Sequence, residues 1–447
     1  MEWISTDTMD FLYNIFSHFQ RMGNLEGNAT DYPFMLSIYL GIFFLCLIAN
    51  IALLLSRHGK RVVWLPDQHK IIKSKFNYMA MLACTFTGVF LVGSFPSELQ
   101  KTYGTWNADF FYTLGQTSIM ITAGIYSLAT YKKSSSVILN SISIIIGLST
   151  SIPVAATAIL VPLDIDSNII RFITISGVIL SFIILAFISV KYDLLVRYSR
   201  INIFMFFITT IALFTSISTY DGTIDYSKIL PFQGMLDKEP WLELLNNPYW
   251  WYFEATVVSW SIFCGRFIAY CSNGYSIKDI IKYGTASLIL LTVVWHLVSA
   301  ATGYTVSFSR GWAIYILTAL TMLGFAVTSL DSASKTLLLD FSRVADKKGI
   351  HCSTNAILYG IMLFLGILNI IILYTGVPRL FTIIFCLIFI PFLVRAIIYC
   401  IKFSVGRINY DNSGTITPEQ YNKMLESAGE KPIVNEFDKT NPFQNGV

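Results

Sequence analysis

The chain has 447 residues, 54% of them hydrophobic and only 13% charged, with a mean hydropathy of +0.61. Soluble domains carry about 25% charged residues, so most of this surface faces something other than water. The net charge of +4 says nothing about nucleic acid, but there is no basic stripe, and no nucleic-acid partner is expected. All seven cysteines fall in or beside apolar runs without a CxxC pair, so they read as small buried apolar residues, neither metal ligands nor disulfides.

Residues 1–33 are polar, aromatic and acidic, with a short interfacial helix expected around Met9–Phe19. They lack the basic start and continuous apolar core of a cleavable signal peptide. A leading transmembrane helix follows over 34–56. Later apolar runs are expected near 76–98, 108–130, 136–161, 169–190, 201–219, 248–271, 280–304, 312–332, 353–375 and 379–402. At about 20 residues per crossing, this makes about eleven spans of an all-α integral membrane protein. The outer loop 220–247 carries a candidate amphipathic surface helix at Met235–Asn246. Residues 403–447 read as a polar cytoplasmic tail, partly disordered.

Charge sets the orientation. Arg57, Lys60, Arg61, Lys70, Lys73 and Lys75 follow the first span, and Lys132, Lys133, Lys191, Arg197, Arg200, Lys278, Lys282, Lys335, Arg343, Lys347 and Lys348 fall on the same side. Asp164, Asp166, Asp221, Asp225, Asp237, Glu239 and Glu243 fall on the other. By the positive-inside rule the N-terminus is outside and the C-terminus cytoplasmic, in a multi-pass protein of the plasma (inner) membrane. Asn28-Ala29-Thr30 fits a glycosylation acceptor on the outer side.

The seventh span, Tyr249–Ser276, opens with five consecutive aromatic residues and then carries an acid, Glu254, and a base, Arg266. Ionisable groups inside a span mark a functional site by default. Arg266 lies three turns, about 18 Å, beyond Glu254, too far for a direct pair in a straight helix. It suits a gate in the cytoplasmic half or a snorkelling role. His296 reads as a packed polar residue. No nucleophile–base constellation, HExxH or phosphate loop is present, so an enzyme is not expected.

Five stretches, in order, carry a resemblance. They are Met81–Leu99, Gly124-Ile125-Tyr126, Arg197–Met205, Ser259-Trp260-Ser261…Gly265…Ser272-Asn273-Gly274, and Thr328-Ser329-Leu330-Asp331-Ser332. Over about 35–400 the chain resembles the betaine/carnitine/choline transporter family. The resemblance implies a LeuT-type core of two inverted five-helix repeats, 76–219 and 248–402, behind one leading helix instead of the usual two. It implies that the first helix of each repeat is broken near mid-membrane, where substrate and ions bind. Contacts through the outer surface helix would form a homotrimer.

The departures bear on function. Of three closely spaced glycines in the family's broken helix only Gly88 remains, beside Cys84, Thr85, Phe86 and Thr87. The family's tryptophan cage holds quaternary ammonium by cation–π attraction. Here its positions read Glu254, Thr256, Val257 and Trp260 in the seventh span, and Ser118, Ala123 and Tyr126 in the third. A carboxylate at Glu254 suits a primary or secondary ammonium, which donates a charge-assisted hydrogen bond. The resemblance thus implies a secondary active transporter of a small amine-bearing or zwitterionic solute, lined by Glu254, Trp260, Tyr126, Thr256 and Phe86. It also implies a Na⁺ site from the Thr328 and Ser329 hydroxyls and the carbonyls of Phe325, Leu82 and Thr85, with no other cofactor. Ile144 and Leu148 replace the threonines of a second sodium site. The alternative is a membrane receptor or partner subunit on the same fold that does not transport.

Overall fold

A computed structural model of the chain describes residues 33–65, 72, 74–87, 106–131, 134–165, 168–220, 248–302, 310–350, 353–375 and 378–427. Its helices are α1 Pro33–Leu55, α2 Lys75–Thr87, α3 Trp106–Thr130, α4 Ser134–Leu160, α5 Asn168–Lys191 and α6 Leu195–Tyr220. They continue with α7 Pro248–Cys271, α8 Ile277–Thr302, α9 Trp312–Lys347, α10 Thr354–Thr375, α11 Pro378–Ser404 and a short α12, Pro418–Ser427. Four of them begin on proline, whose missing N–H is unneeded in a first turn. The α8 start is a reciprocal cap, with Asp279 N–H donating to Ser276 Oγ at 3.1 Å and Ser276 N–H to Asp279 Oδ2 at 3.2 Å.

The chain is an all-α membrane protein. Among the described residues seven helices are long and apolar enough to cross a bilayer: α1, α4, α5, α6, α9, α10 and α11. The other four of the eleven long helices, α2, α3, α7 and α8, pack together as one group, and α7 contributes a shorter apolar run, Val257–Cys271. A second group is α4, α5, α9 and α10. The most extensive contact in the molecule is α3 on α7, and its counterpart is α8 on α2. Likewise α4 packs on α10 as α9 packs on α5, and α6 touches α2, α8 and α9 where α11 touches α7, α3 and α4. Exchanging α2–α6 with α7–α11 therefore reproduces the contact pattern, as two repeats behind one leading helix require. α1 lies against α3 and α11.

Two sequence expectations change. The ninth span was expected to end near 332, but α9 runs 36 residues to Lys347. That is about 54 Å, well beyond a hydrocarbon core of ~30 Å. Asp331, Lys335 and Asp340 look like an exit into water, yet all three are buried against other helices. The tail after 403 is folded through residue 427. Its β2 strand, Thr415–Ile416, pairs antiparallel with β1, Val62–Val63, from the loop after α1. Tyr421 and Leu425 of α12 pack with Val62, Trp64 and Ile416. The α7–α8 turn joins them, since Val63 N–H donates to Tyr275 O and Gly274 N–H to Val63 O, both at 2.9 Å. Gly274 has φ 87°, which glycine adopts without strain. Arg61 clamps this cap, donating to Thr415 Oγ1 at 3.1 Å and Thr415 O at 3.0 Å while lying over the Tyr410 ring. The expected helices at Met9–Phe19 and Met235–Asn246 lie outside the described residues, as do 88–105. The first-repeat break was expected around Cys84–Gly88, but α2 is helical through Thr87.

Gly265, from the Ser259…Gly265 motif, lets α7 touch the α3 backbone. A Cβ there would stand 2.7 Å from the Ala123 carbonyl carbon and 2.8 Å from the Gly124 amide nitrogen. Small residues of this kind set how closely membrane helices approach. Gly265→Val is expected to lower the melting temperature of the detergent-solubilised protein by several degrees, whereas the same change at Gly177, where a Cβ meets nothing within 4 Å, leaves it near wild type.

The cap is expected to weaken in acid. Burial, then the guanidinium groups of Arg57 and Arg61, holds His58 below its ordinary value of 6.5. The folded cap therefore takes up this proton less readily than the unfolded chain. Stability is full above the unfolded value and falls as the pH drops through it toward the lowered folded one. Melting curves between pH 7.5 and 5 should show a smaller loss for His58→Gln than for the wild-type chain.

Candidate functional site

The seam between the two four-helix groups gathers the polar residues of the membrane interior. α9 supplies one side of it. Thr328, Ser332, Thr336 and Asp340 recur every fourth residue, so they share a helix face. Ser332 and Asp340 of that stripe reach the first group. A second pair on α9, Asp331 and Lys335, turns to α5. Ser189 donates to Asp331 Oδ2, and Lys335 Nζ lies 2.5 Å from Asp193 Oδ1. Asp193 occupies the left-handed region, φ 54°, in the turn between α5 and α6.

At the crossing of α2 and α9, Thr85 Oγ1 lies 3.0 Å from Ser332 Oγ. Thr85 also reaches its own Met81 carbonyl at 2.9 Å, and Ser332 reaches Thr328 O at 2.8 Å. Thr328 donates to Gly324 O at 2.9 Å and Phe325 O at 3.1 Å. Ser329 is fully buried and its Oγ has no hydrogen-bond partner. A buried hydroxyl left unpaired costs about 1–3 kcal/mol. Of the hydroxyls expected to hold Na⁺, Thr328 is bonded within α9 and Ser329 is left unpaired, while Thr85 reaches α9 through its side chain at Ser332. The Leu82 and Thr85 carbonyls lie within α2, which stays helical to Thr87. In a helix a carbonyl points along the axis toward the amide four residues on. The described α2 contains no glycine, whose backbone freedom would ease unwinding of that turn.

At the crossing of α4 and α7, Ser143 engages both ends of one rung of the α7 ladder. Its hydroxyl donates to Ser259 O and accepts from Phe263 N–H at 3.1 Å. A side chain inserted into the i→i−4 ladder is a recognised cause of helix distortion. The rung starts in the Ser259-Trp260-Ser261 motif of the helix expected to break near mid-membrane, yet α7 runs as one helix from Pro248 to Cys271. One turn along α4, Gly147 makes room for Trp260, whose indole would stand 2.3 Å from a Cβ there.

The three described aromatic candidates face different neighbours. Trp260 lies against α4 at Gly147, Phe86 toward Gly284 of α8, and Tyr126 against Phe392 and Tyr399 of α11 with ring centroids 5.1 and 5.5 Å away. Glu254 and Thr256 lie on α7, but their side chains, like that of His296, fall outside the described residues. Ile144 and Leu148 are buried apolar residues of α4.

Toward the cap end, the seam closes on charge. Arg266 of α7 holds Asp340 of α9 with Nη2 2.5 Å from Oδ1 and Nε 3.3 Å from Oδ2, and both side chains are only 2% exposed. Asn140 of α4 donates to Asp340 Oδ2 at 2.9 Å. Arg266 and Arg343 each donate to Tyr131 O at 2.8 Å and lie over the Tyr131 ring, 4.5 and 4.1 Å from its centroid. Arg266 thus does not snorkel. Sequence reasoning singled out Arg266 but missed Asp340 and Asn140. The signal for Asp340 was its place in the four-residue polar stripe that starts at Thr328.

No protein-family profile matches the chain, and no curated protein matches it. Among solved structures it is similar to a Na⁺-coupled sialic acid symporter in a substrate-bound outward-open state. The TM-score is 0.49 at 10% identity, covering 76% of this chain and 80% of that one. It is also similar to a manganese transporter of Eremococcus coleocola, with TM-score 0.45 at 10% identity over 77% of this chain and 83% of the other. At these scores neither carries a solute or an ion across to this protein.

Two substitutions separate the roles of these groups. Ser329→Ala removes an unpaired buried hydroxyl and is expected to leave thermal stability unchanged or slightly higher in the absence of ligand. Asp340→Asn leaves a buried guanidinium uncompensated and is expected to cost about 3–5 kcal/mol. Chemical or thermal unfolding of the solubilised protein measures both.

Proposed function

We propose that the chain is a secondary active transporter that moves a small amine-bearing or zwitterionic solute by alternating access, as a divergent member of the betaine/carnitine/choline transporter family. The observation that carries this reading is the seam itself. Two groups of four helices, each mapped onto itself by exchange of the repeats, meet along buried hydroxyls at the α2–α9 crossing. Alternating access in such folds is the rocking of one helix group against the other around a site at the repeat interface.

Na⁺ is the coupling ion that the donor set suits. Thr328, Ser329, Ser332 and Thr85 present hard oxygen atoms, and Ser329 Oγ has a lone hydroxyl to offer. Bound there, Na⁺ would tie α2 to α9 and bias the seam toward closure. Glu254 is the proposed partner of the solute's ammonium group, with Thr256 beside it on α7. Trp260, Phe86 and Tyr126 contribute to the substrate path from separate helix faces. The proposed orientation keeps the N-terminus outside and the cap at the cytoplasmic surface, in accord with the lysines and arginines near it.

One observation favours the second reading, a receptor or partner subunit that does not transport. α2 continues as a helix through Thr87, and the three described aromatic candidates do not line a common cage. Stabilisation by ligand decides between them. A ligand at 100 times its Kd raises stability by about 2.7 kcal/mol. Amines, amino acids and betaines are screened by melting temperature in NaCl and in KCl. A primary or secondary amine is expected to stabilise the protein, more in NaCl, with the amine effect lost in Glu254→Gln and the Na⁺ effect lost in Ser329→Ala. Absence of stabilisation by any compound in either salt would reject the transporter reading.

A further inference from the structure

We propose that Arg266 and Asp340 form an ionic gate that closes the cap-end half of the seam, and that transport requires this pair to part. The inference rests on the transporter reading above and adds a residue pair to it. Three features of the geometry point to it.

The pair spans the seam. Arg266 belongs to α7 in the first group, and Asp340 to α9 in the second. One supporting contact spans it as well, since Arg343 of α9 donates to Tyr131 O at the end of α3. The other two brace each side: Asn140 of α4 fixes Asp340 within the second group, and Tyr131 O receives Arg266 within the first. Rocking of one group against the other at this end breaks the Arg266–Asp340 and Arg343–Tyr131 bonds.

The pair is also dry and two-pronged. Its bidentate form is the strong geometry for guanidinium and carboxylate. Separated without water, each member would be a costly buried charge. Separated with water entering from the cap end, each is solvated. The pair is therefore stable in two arrangements, closed and dry or open and wet, which is what a gate needs. Finally, the groups lack complete partners even when closed. Arg266 Nη1 and Asn140 Oδ1 are both buried without a hydrogen bond. An unpaired donor and an unpaired acceptor beside the same carboxylate lower the cost of admitting water.

Cys84 and Cys400 report on the opening. Both are fully buried. Cys84 lies on α2 where it meets α6, one residue from the Thr85–Ser332 contact, with Sγ 3.8 Å from Ser199 O. Cys400 lies on α11 with Sγ 3.8 Å from Thr122 O of α3, a contact that involves no helix of the second group. The full-length protein in detergent, without solute, is treated with N-ethylmaleimide, and each cysteine peptide is followed by mass spectrometry. In Asp340→Asn the modification of Cys84 should accelerate about tenfold or more beyond any rise at Cys400 that the lost stability brings. Unchanged Cys84 would overturn the gate. A parallel rise at both cysteines would overturn it too, since that reports general loosening of the fold. If Asp340→Asn cannot be purified, Arg266→Lys keeps the charge but loses the fork. It should raise Cys84 alone, by about threefold, and failure to do so overturns the proposal. Because the labelling uses no solute, a selective rise at Cys84 supports the gate even where the ligand screen rejects transport, and a ligand effect without that rise rejects the gate alone.

Discussion

Arg266 can lie in the middle of a packed helix bundle only because Asp340 meets it there. An isolated buried guanidinium would be expelled or would draw water in, and the hydrocarbon around the bundle offers it nothing. The carboxylate comes from a helix far along the chain, so the pair holds α7 and α9 in register. Asn140 then fixes the carboxylate, and the Tyr131 carbonyl fixes the guanidinium. The junctions of α3, α4, α7 and α9 at the cap end follow from satisfying one buried charge.

The same need for internal partners shapes the rest of the seam. Ser143 reaches into the backbone ladder of α7, Thr85 meets Ser332, and Lys335 leaves the membrane interior by pairing with Asp193. Ser329 is one of the buried groups left without a hydrogen bond, and it lies in the motif that the proposed ion site requires. Structural packing explains the satisfied groups, and an unsatisfied hydroxyl in that motif is where a ligand has something to gain. The cap adds a second layer of order. The loop after α1, the α7–α8 turn and the folded tail are joined by a two-residue strand pair and by Arg61, so the ends of α1, α7, α8 and α11 are held at a common surface.

Much of the architecture was legible in the sequence. Low charge and recurrent apolar runs fix a helical membrane protein, because a bilayer leaves the backbone no other way to satisfy its polar groups in such segments. The number and order of the long helices follow from the same pattern, and Gly265 in its motif marks a close helix crossing. The hydroxyls at Thr328 and Ser329 were readable as candidates only through the resemblance that the stretch Thr328–Ser332 carries. The length of α9 was not readable. Hydropathy treats Asp331, Lys335 and Asp340 as water-facing, whereas here each is buried against another helix.

What the sequence determined by itself is thus local, namely which segments are helical and apolar and which residue types are available to bind. Only the tertiary structure decided the partners. Asp340 and Arg266 stand 74 residues apart in the chain, and nothing in either neighbourhood names the other. Trp260, Phe86 and Tyr126 share a chemistry that suggests a common cage, yet they turn to three different helices. Partnership depends on how the helices cross and rotate against one another, a property of the assembled bundle that no single stretch of sequence contains.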